Sequence, residues 1–484
     1  MIRFLNISNA TLFWYFLASN FIYLAMLITA FWTSARHQRR LQSYRLEWIK
    51  DAPLAPPITI VAPAHNEEAS IREAVRNFLD LDYPQLEIIV VNDGSKDRTL
   101  DVLQEEFRLR SVRAVYVPEI PCEQIRGLYR SETDPRLLVI DKVSRGNKAD
   151  AANAGLNAAT SPYVCVVDGD SLLERDALLR IMVPVLADPQ RVVAVGGIVR
   201  VLNGATIERG QLREARLPHH PVEAIQVVEY LRAFLIGREA WSRANMLAIV
   251  SGAFGIFRTD LVRAIGGYRA GSIGEDFDLV MRLHRYLLRK KREYQICFVP
   301  DPMCWTEVPS DLKSLGRQRA RWQKGLLDVL WPNRDMLFRP GYGRMGSIAL
   351  PYLWLFEFFA PVVEIVGLGT IILAACLGVL SRTFFMQFLL FGFAFATVIS
   401  IGSVLQEEVT YRRYKDWKDV ARLVSYCFFE HFPYRQLHML WRLRGIWEYF
   451  TGNEAWNQPK RKGMSSARTP TKLPAQSPST RPFE

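Results

Sequence analysis

Residues 163–178 read YVCVVDGDSLLERDAL: an apolar, β-branched run that stops at two aspartates separated by one glycine. A run of that length and composition is a buried strand, and the polar residues after it mark the turn that ends it. The same arrangement occurs twice upstream. ITIVAPAHNEE at 58–68 is a strand closing on Asn66 and Glu67, and LEIIVVNDGSKDRTL at 86–100 is a strand closing on Asp93. Short strands alternating with helix-like stretches between 57 and 200 indicate an α/β domain with a mostly parallel sheet and crossover helices. Ligands in such sheets bind at the carboxyl ends of the strands, where Asn66, Glu67, Asp93, Asp168 and Asp170 fall.

Asp168 and Asp170 can present oxygens to one hard divalent cation, Mg2+ or Mn2+, that also takes phosphate oxygens. An isolated DGD is also compatible with a plain turn in which the aspartates satisfy backbone amides. Two matching strand ends favour the metal. Between the second and third strands, DKVSRGNKADAANAGLNAA at 141–159 offers Gly146 for a tight turn, Lys148 as a point charge for phosphate, and a small-residue helix able to pack closely on the sheet. A simple loop and helix start is the equal alternative. Downstream, SGAFGIFRTDLVRAIGGYRAGSIGEDFDLVMRLH at 251–284 places Glu275 and Asp276 at a helix entry. Capping explains acids there, but this pair is also the best-placed source of a general base after the metal motif.

The rest of the chain is not globular in pattern. Residues 11–33, TLFWYFLASNFIYLAMLITAFWT, carry no charge, enough helix to cross about 30 Å of hydrocarbon. The run is too long for a signal peptide, and the basic flank RHQRRLQSYR at 36–45 directs the residues beyond it to the cytoplasm. A second apolar block at 347–405, interrupted near Arg382, reads as a pair of spans. Glu357 and Glu364 lie seven apart in it, on one helical face; intramembrane acids are costly and often functional, although an interfacial first segment would relieve Glu357. Residues 420–450 fit a third span, a re-entrant hairpin or an interfacial helix. Between the soluble and membrane parts, SLGRQRARWQKG at 314–325 holds Gln318, Arg321 and Trp322 on one short stretch, where a solvated basic helix face is the plain reading.

With 61 basic against 49 acidic residues the net charge is +12. A surface facing anionic lipid accounts for it, and no module for nucleic acid is visible, so nucleic acid is set aside as a partner. The six cysteines show no metal spacing and read as reduced and incidental; His219 and His220 read as a surface loop.

VAPAHNEE, VNDGS, DGD, GED and QRARW, in this order and flanked by apolar spans, resemble family 2 of the inverting glycosyltransferases, in particular the membrane-embedded cellulose, chitin, hyaluronan and poly-N-acetylglucosamine synthases. The resemblance covers roughly residues 55–400. It implies an A-type glycosyltransferase fold and a nucleotide-sugar donor, usually a UDP-sugar. It also implies roles for individual residues. Ala62, Pro63, Asn66 and Glu67 match the first strand-end motif, Asp93 the nucleoside-binding aspartate, and Asp168 and Asp170 the metal motif. Asp276 matches the base, and Gln318, Arg321 and Trp322 match QxxRW, which holds the donor diphosphate and frames the acceptor site.

GED stands where several synthases have TED, no regulatory domain of the cellulose type is evident, and 118–136 has no placed counterpart. The expected organisation is an anchor at 1–36, a cytoplasmic glycosyltransferase domain at 37–310, interfacial helices at 311–346 and membrane helices at 347–407. A cytoplasmic, interfacial or membrane segment is expected at 408–456, then a disordered basic tail at 457–484. The expected activity is β-linked polysaccharide synthesis with passage of the growing glycan through the bilayer. The alternatives are transfer of one sugar to a lipid acceptor, a polyprenyl phosphate or ceramide-like molecule, and an inactive membrane scaffold.

Overall fold

The computed structural model describes residues 2–43, 49, 55–113, 116, 118–208 and 210–452; the expected tail at 457–484 lies outside them. Among the described residues twelve strands are present: β1 Ile58–Ala64, β2 Leu86–Asp93, β3 Leu109–Ser111, β4 Ile125–Ser131, β5 Leu137–Lys142, β6 Tyr163–Val167, β7 Leu172–Leu173, β8 Val192–Val201, β9 Thr206–Glu208, β10 Gln211–Glu214, β11 Phe254–Arg258 and β12 Gln295–Thr306. Ten form one sheet in the order β3-β4-β5-β2-β1-β6-β11-β8-β12-β7, and β9 and β10 pair separately.

The expected parallel core is β5-β2-β1-β6. These strands are buried on both faces, as an α/β sheet covered by helices requires. Val61 pairs with Ile89 of β2 and Val166 of β6, so the polar turns after β1, β2 and β6 emerge along one edge. Antiparallel strands extend the core on both sides. The unplaced segment 118–136 supplies β4, which adds antiparallel to β5. On the other side β11 enters between β6 and β8, antiparallel to both, which brings the turn before it back to the Asp168 edge.

The small-residue helix Lys148–Ala158 packs on the sheet as expected. Its side chains Ala149, Ala151, Ala152 and Ala154 are buried, and a Cβ on Gly155 would lie 2.3 Å from Val61 Cγ1, so only glycine permits this separation.

Among the described residues two helices are long and apolar enough to cross a membrane, Ile7–Ser34 and Phe385–Thr410. A third element is bent: Met345–Phe358 and Ala360–Cys376 pass the same test together but meet at 44°. The first leg packs Met345, Ala349 and Leu350 against Leu327 and Leu330. Residues 420–450, left open by the sequence, fall in the helices Trp417–Phe429 and Arg435–Thr451 and the short segment between them. The second lies along the helix Leu312–Leu330 so tightly that a Cβ on Gly445 would meet the Ala320 carbonyl oxygen at 2.4 Å.

Candidate active site

A cavity of about 1760 Å3 opens at the carboxyl edge of the parallel strands and continues between the apolar helices. Pro63, Asn66, Glu67, Asp93, Lys148, Asp168, Asp170, Glu275, Asp276, Gln318, Arg321 and Trp322 all line it. Of the candidate site residues, only Ala62 is not on its wall: the Ala62 side chain is fully buried in β1, beside Val90.

The turns are rigidly built. Asn66 sits at φ 56°, a left-handed conformation that asparagine tolerates better than most residues, and its Oδ1 accepts from the Lys96 amide at 2.8 Å. The Glu67 amide donates to Thr99 Oγ1 at 2.8 Å, and the Glu67 carboxylate accepts from Ser70 Oγ at 2.7 Å. The bonds to Lys96 and Thr99 tie the turn after β1 to the segment after β2. Asp93 ends β2, nearly buried, with Lys142 Nζ on Oδ1 at 2.7 Å and Ser144 Oγ on Oδ2 at 3.1 Å.

Asp168 and Asp170 flank Gly169 at the end of β6, and the main chain of this turn runs against β1: a Cβ on Gly169 would lie 3.2 Å from the Pro63 carbonyl oxygen. Among the described residues no group of three or more His, Cys, Asp or Glu side chains is placed to hold a metal. Asp168 is partly exposed to the cavity and Asp170 is buried at its wall; two carboxylates there leave the remaining positions to water and phosphate, the donor set that suits Mg2+ or Mn2+ with a nucleotide. Lys148 Nζ lies 2.5 Å from Asp168 Oδ1 and donates to the Gly252 carbonyl at 2.8 Å. Burial works against the Lys148 charge, but Asp168, Glu275 and Asp276 outweigh it and hold the ammonium above the usual lysine range.

Glu275 and Asp276 begin the helix Glu275–Arg289. The Gly252 amide donates to Asp276 Oδ2 at 3.0 Å and the Phe277 amide to Oδ1 at 2.8 Å, which fixes the carboxylate at the cavity wall. Burial, and then the charge of Asp276, push the Glu275 carboxyl above its usual range, while Lys148 and Arg321 pull it back. One residue, Gly252, therefore bridges Lys148 and Asp276 through its carbonyl and its amide.

The QxxRW stretch lies mid-way along the helix Leu312–Leu330, whose start is capped by Asp311 accepting from the Ser314 amide at 2.8 Å. It is not merely a solvated basic face. Arg321 and Trp322 are exposed toward the cavity, but Arg319, between them and Gln318, is buried, pairs with Glu229, and places its guanidinium 4.2 Å over the Trp322 ring. The indole is thus backed by a cation–π contact on one face.

Farther in, the cavity is lined by ion pairs between elements distant in sequence: Arg232 with Glu430 at 2.5 Å and Arg435 with Glu364 at 2.6 Å. Glu357 accepts from the Tyr352 hydroxyl at 3.3 Å and faces Arg442 at 4.0 Å. Glu357 and Glu364 both line the cavity, but from the two legs of the bent element and not from the one continuous helical face their spacing suggests. Sequence reading missed Glu229, Arg319, Lys142, Gly252 and Arg238, whose Nη1 is buried with no hydrogen-bond partner among the described residues and whose guanidinium stacks 3.8 Å from the Phe234 ring centre. A usable signal existed for Arg319 alone, inside QRARW.

Residues 119–325 match the family described as glycosyltransferase like family 2, and residues 59–119 match glycosyl transferase family 2. Residues 59–325 form a family 2 glycosyltransferase domain. The matches meet at residue 119 and take in the strands from β1, bar its first residue, to β12, with the motifs from Asn66 to Trp322. The chain is 27% identical over 303 residues to the poly-beta-1,6-N-acetyl-D-glucosamine synthase of Staphylococcus aureus strain COL, which covers 62% of this chain and 60% of that protein. The synthase of the same description from Staphylococcus epidermidis is 27% identical over 275 residues, 56% of this chain and 55% of the relative. The chain thus spans about 60% or less of the length of these relatives. A mannosyltransferase of Pyrobaculum calidifontis, solved with GDP-Man and Mn2+, is 21% identical and has the same fold, with a TM-score of 0.52 over 92% of this chain and 100% of the other. The glycosyltransferase domain therefore has the A-type architecture that the family resemblance implies.

Proposed function

We propose that this chain is a membrane-bound inverting glycosyltransferase that extends a β-linked glycan from a nucleotide sugar, a UDP-hexose or UDP-N-acetylhexosamine, and passes the product through its own spans. The observation that carries the reading is the continuity of the cavity, from Asn66 and Asp168 past Asp276 and Trp322 to Glu364 and Arg435. Asp93 holds the nucleoside. Lys148 and Arg321 lie where they can take charge from the diphosphate, Lys148 as a point charge and Arg321 through its fixed fork. Asp168 and Asp170 would hold a divalent cation, which neutralises charge on the departing nucleoside diphosphate.

Asp276, fixed by two amides, removes the proton from the acceptor hydroxyl. The acceptor oxygen then bonds to the anomeric carbon as the bond to the diphosphate oxygen breaks on the opposite face. Trp322 offers its free face to the terminal acceptor sugar. Beyond it, Arg232 and Arg435 each carry a carboxylate partner, which suits an uncharged chain better than an acidic one. The poly-N-acetylglucosamine synthases among the relatives favour a polymer over a single transfer. In this reading the catalytic domain faces the cytoplasm, as the basic flank at 36–45 directs.

The test is transfer from a panel of labelled nucleotide sugars by membranes containing the protein. Transfer is expected from at least one donor, lost in Asp168→Asn and in excess chelator. Full turnover in excess chelator would overturn the metal-assisted reading, and no transfer from any donor would overturn the enzyme.

A further inference from the structure

Lys142, at the end of β5, has none of its side chain exposed. Its ammonium has three protons to place and three acceptors: Asp93 Oδ1 at 2.7 Å, Asp150 Oδ2 at 2.6 Å and the Val143 carbonyl at 2.5 Å. Asp150 is equally buried, sits in the first turn of the helix that starts at Lys148, and also accepts from the Glu123 amide at 3.2 Å. The ammonium thus joins the ends of β2 and β5 to the helix that carries Lys148. A buried lysine with two carboxylates is costly unless every group is paired, and here the arrangement converges on one side chain at the cavity wall.

We propose that Lys142 is a positioning residue that makes Asp93 select the nucleobase. Lys142 donating to Oδ1 and Ser144 to Oδ2 hold the Asp93 carboxylate in one orientation, and its remaining lone pairs are what it can offer the cavity. Such a group pairs with an N–H. Uracil offers one at N3 and guanine one at N1, whereas cytosine presents a lone pair at N3 and is repelled. A site built around one polar group rejects the analogue that lacks its complement far more strongly than a hydrophobic pocket rejects a change of size. The proposal rests on Asp93 as the nucleoside-binding acid, and it adds the residue that gives that acid its direction.

UDP and CDP differ at this edge, so their relative affinity for the purified full-length protein, measured by calorimetry with Mn2+ present, reads it directly. The wild type is expected to prefer UDP by about tenfold or more. Lys142→Met leaves Asp93 and Asp150 facing each other with no cation; UDP affinity falls by about tenfold, CDP affinity changes little, and the preference collapses. General damage to the fold would weaken both nucleotides equally. Lys142→Met/Asp150→Asn removes the surplus buried acid, so thermal stability recovers while the preference stays lost; this variant carries the test where the single one does not fold. Asp93→Asn separates the two layers. If it keeps the wild-type preference, Asp93 does not read the base and the underlying reading fails. If it loses the preference while the Lys142 variants retain it, or if those variants lose UDP and CDP alike, the role of Lys142 is overturned.

Discussion

Gly325 ends the stretch that begins at Ser314, and it touches the turn that carries the candidate base. A Cβ on Gly325 would lie 3.2 Å from the Gly274 nitrogen, 3.3 Å from Gly274 Cα and 3.4 Å from the Ile273 carbonyl carbon. Ordinary carbon contacts fall at about 3.5–4.0 Å, so the Gly325→Ala methyl must push the helix Leu312–Leu330 away from the 273–276 turn by about 0.3–0.5 Å. The neighbours are backbone and cannot swing aside. Overpacking of this kind costs about 1–3 kcal/mol, while replacing glycine inside a helix returns about 1 kcal/mol. Net stability should therefore change by less than about 2 kcal/mol.

Catalysis should respond more. The displacement separates Arg321 and Trp322 from Asp276, and misplacement by about 1 Å costs about a hundredfold, so roughly half of that shift predicts a fall in kcat of about three- to tenfold. Initial rates of nucleoside diphosphate release, beside melting curves, make the comparison. Gly325→Val should lose more activity than Gly325→Ala, and Gly341→Ala, where a Cβ meets nothing within 4 Å, should lose none. Wild-type turnover by Gly325→Val would refute the docking of this helix on the turn.

Asp276→Asn keeps shape but removes the base; donor affinity should be nearly unchanged and turnover lower by about a hundredfold or more, measured by donor binding and single-turnover kinetics. Trp322→Ala removes the acceptor platform, worth about 1 kcal/mol, and should shorten products several-fold while nucleoside diphosphate release continues. His284, fully buried, accepts from the Tyr294 hydroxyl at 2.6 Å and donates to the Leu247 carbonyl at 3.0 Å, and burial pushes its pKa down to about 4 from 6.5. The unfolded chain then takes up this proton before the folded one, so stability is full above pH 6.5 and falls by about 3 kcal/mol as pH drops to 4. His284→Gln should flatten that part of the profile in pH-dependent unfolding. An impermeant thiol reagent applied outside cells should reach Cys376, exposed at the far end of the bent span, and miss Cys122; Cys297, which sequence alone would offer as a second reporter for the cytoplasmic face, is buried and reports on neither side.

The parallel core and its three polar strand ends are legible in the sequence because each is local: a β-branched run meets Asn66, Asp93 or Asp168 at once. The glycosyltransferase motifs share that property. Partners far apart in the chain are not legible. Arg319 looks like one more solvated charge until Glu229, ninety residues earlier, is found against it. Lys142 stands in the same stretch as Gly146 and Lys148 yet shows no role there, since its acceptors Asp93 and Asp150 lie on two other elements. The bridge from Lys148 through Gly252 to Asp276 likewise depends on β11 entering between β6 and β8, an order that no local pattern encodes. Ala62 fails in the opposite sense: a motif position at a strand end suggests a contact, but strand alternation turns its side chain into the core.

The claim that matters most is that sugar is added repeatedly and the product leaves through the spans. Purified protein in liposomes, oriented with the soluble domain outward and supplied with labelled nucleotide sugar and Mn2+, tests it in one measurement: the size of the labelled product and its protection from added glycosidase. A glycan of many residues, held inside the vesicles and protected, is predicted. A product consisting only of lipid bearing one sugar would contradict the account and establish single transfer in its place.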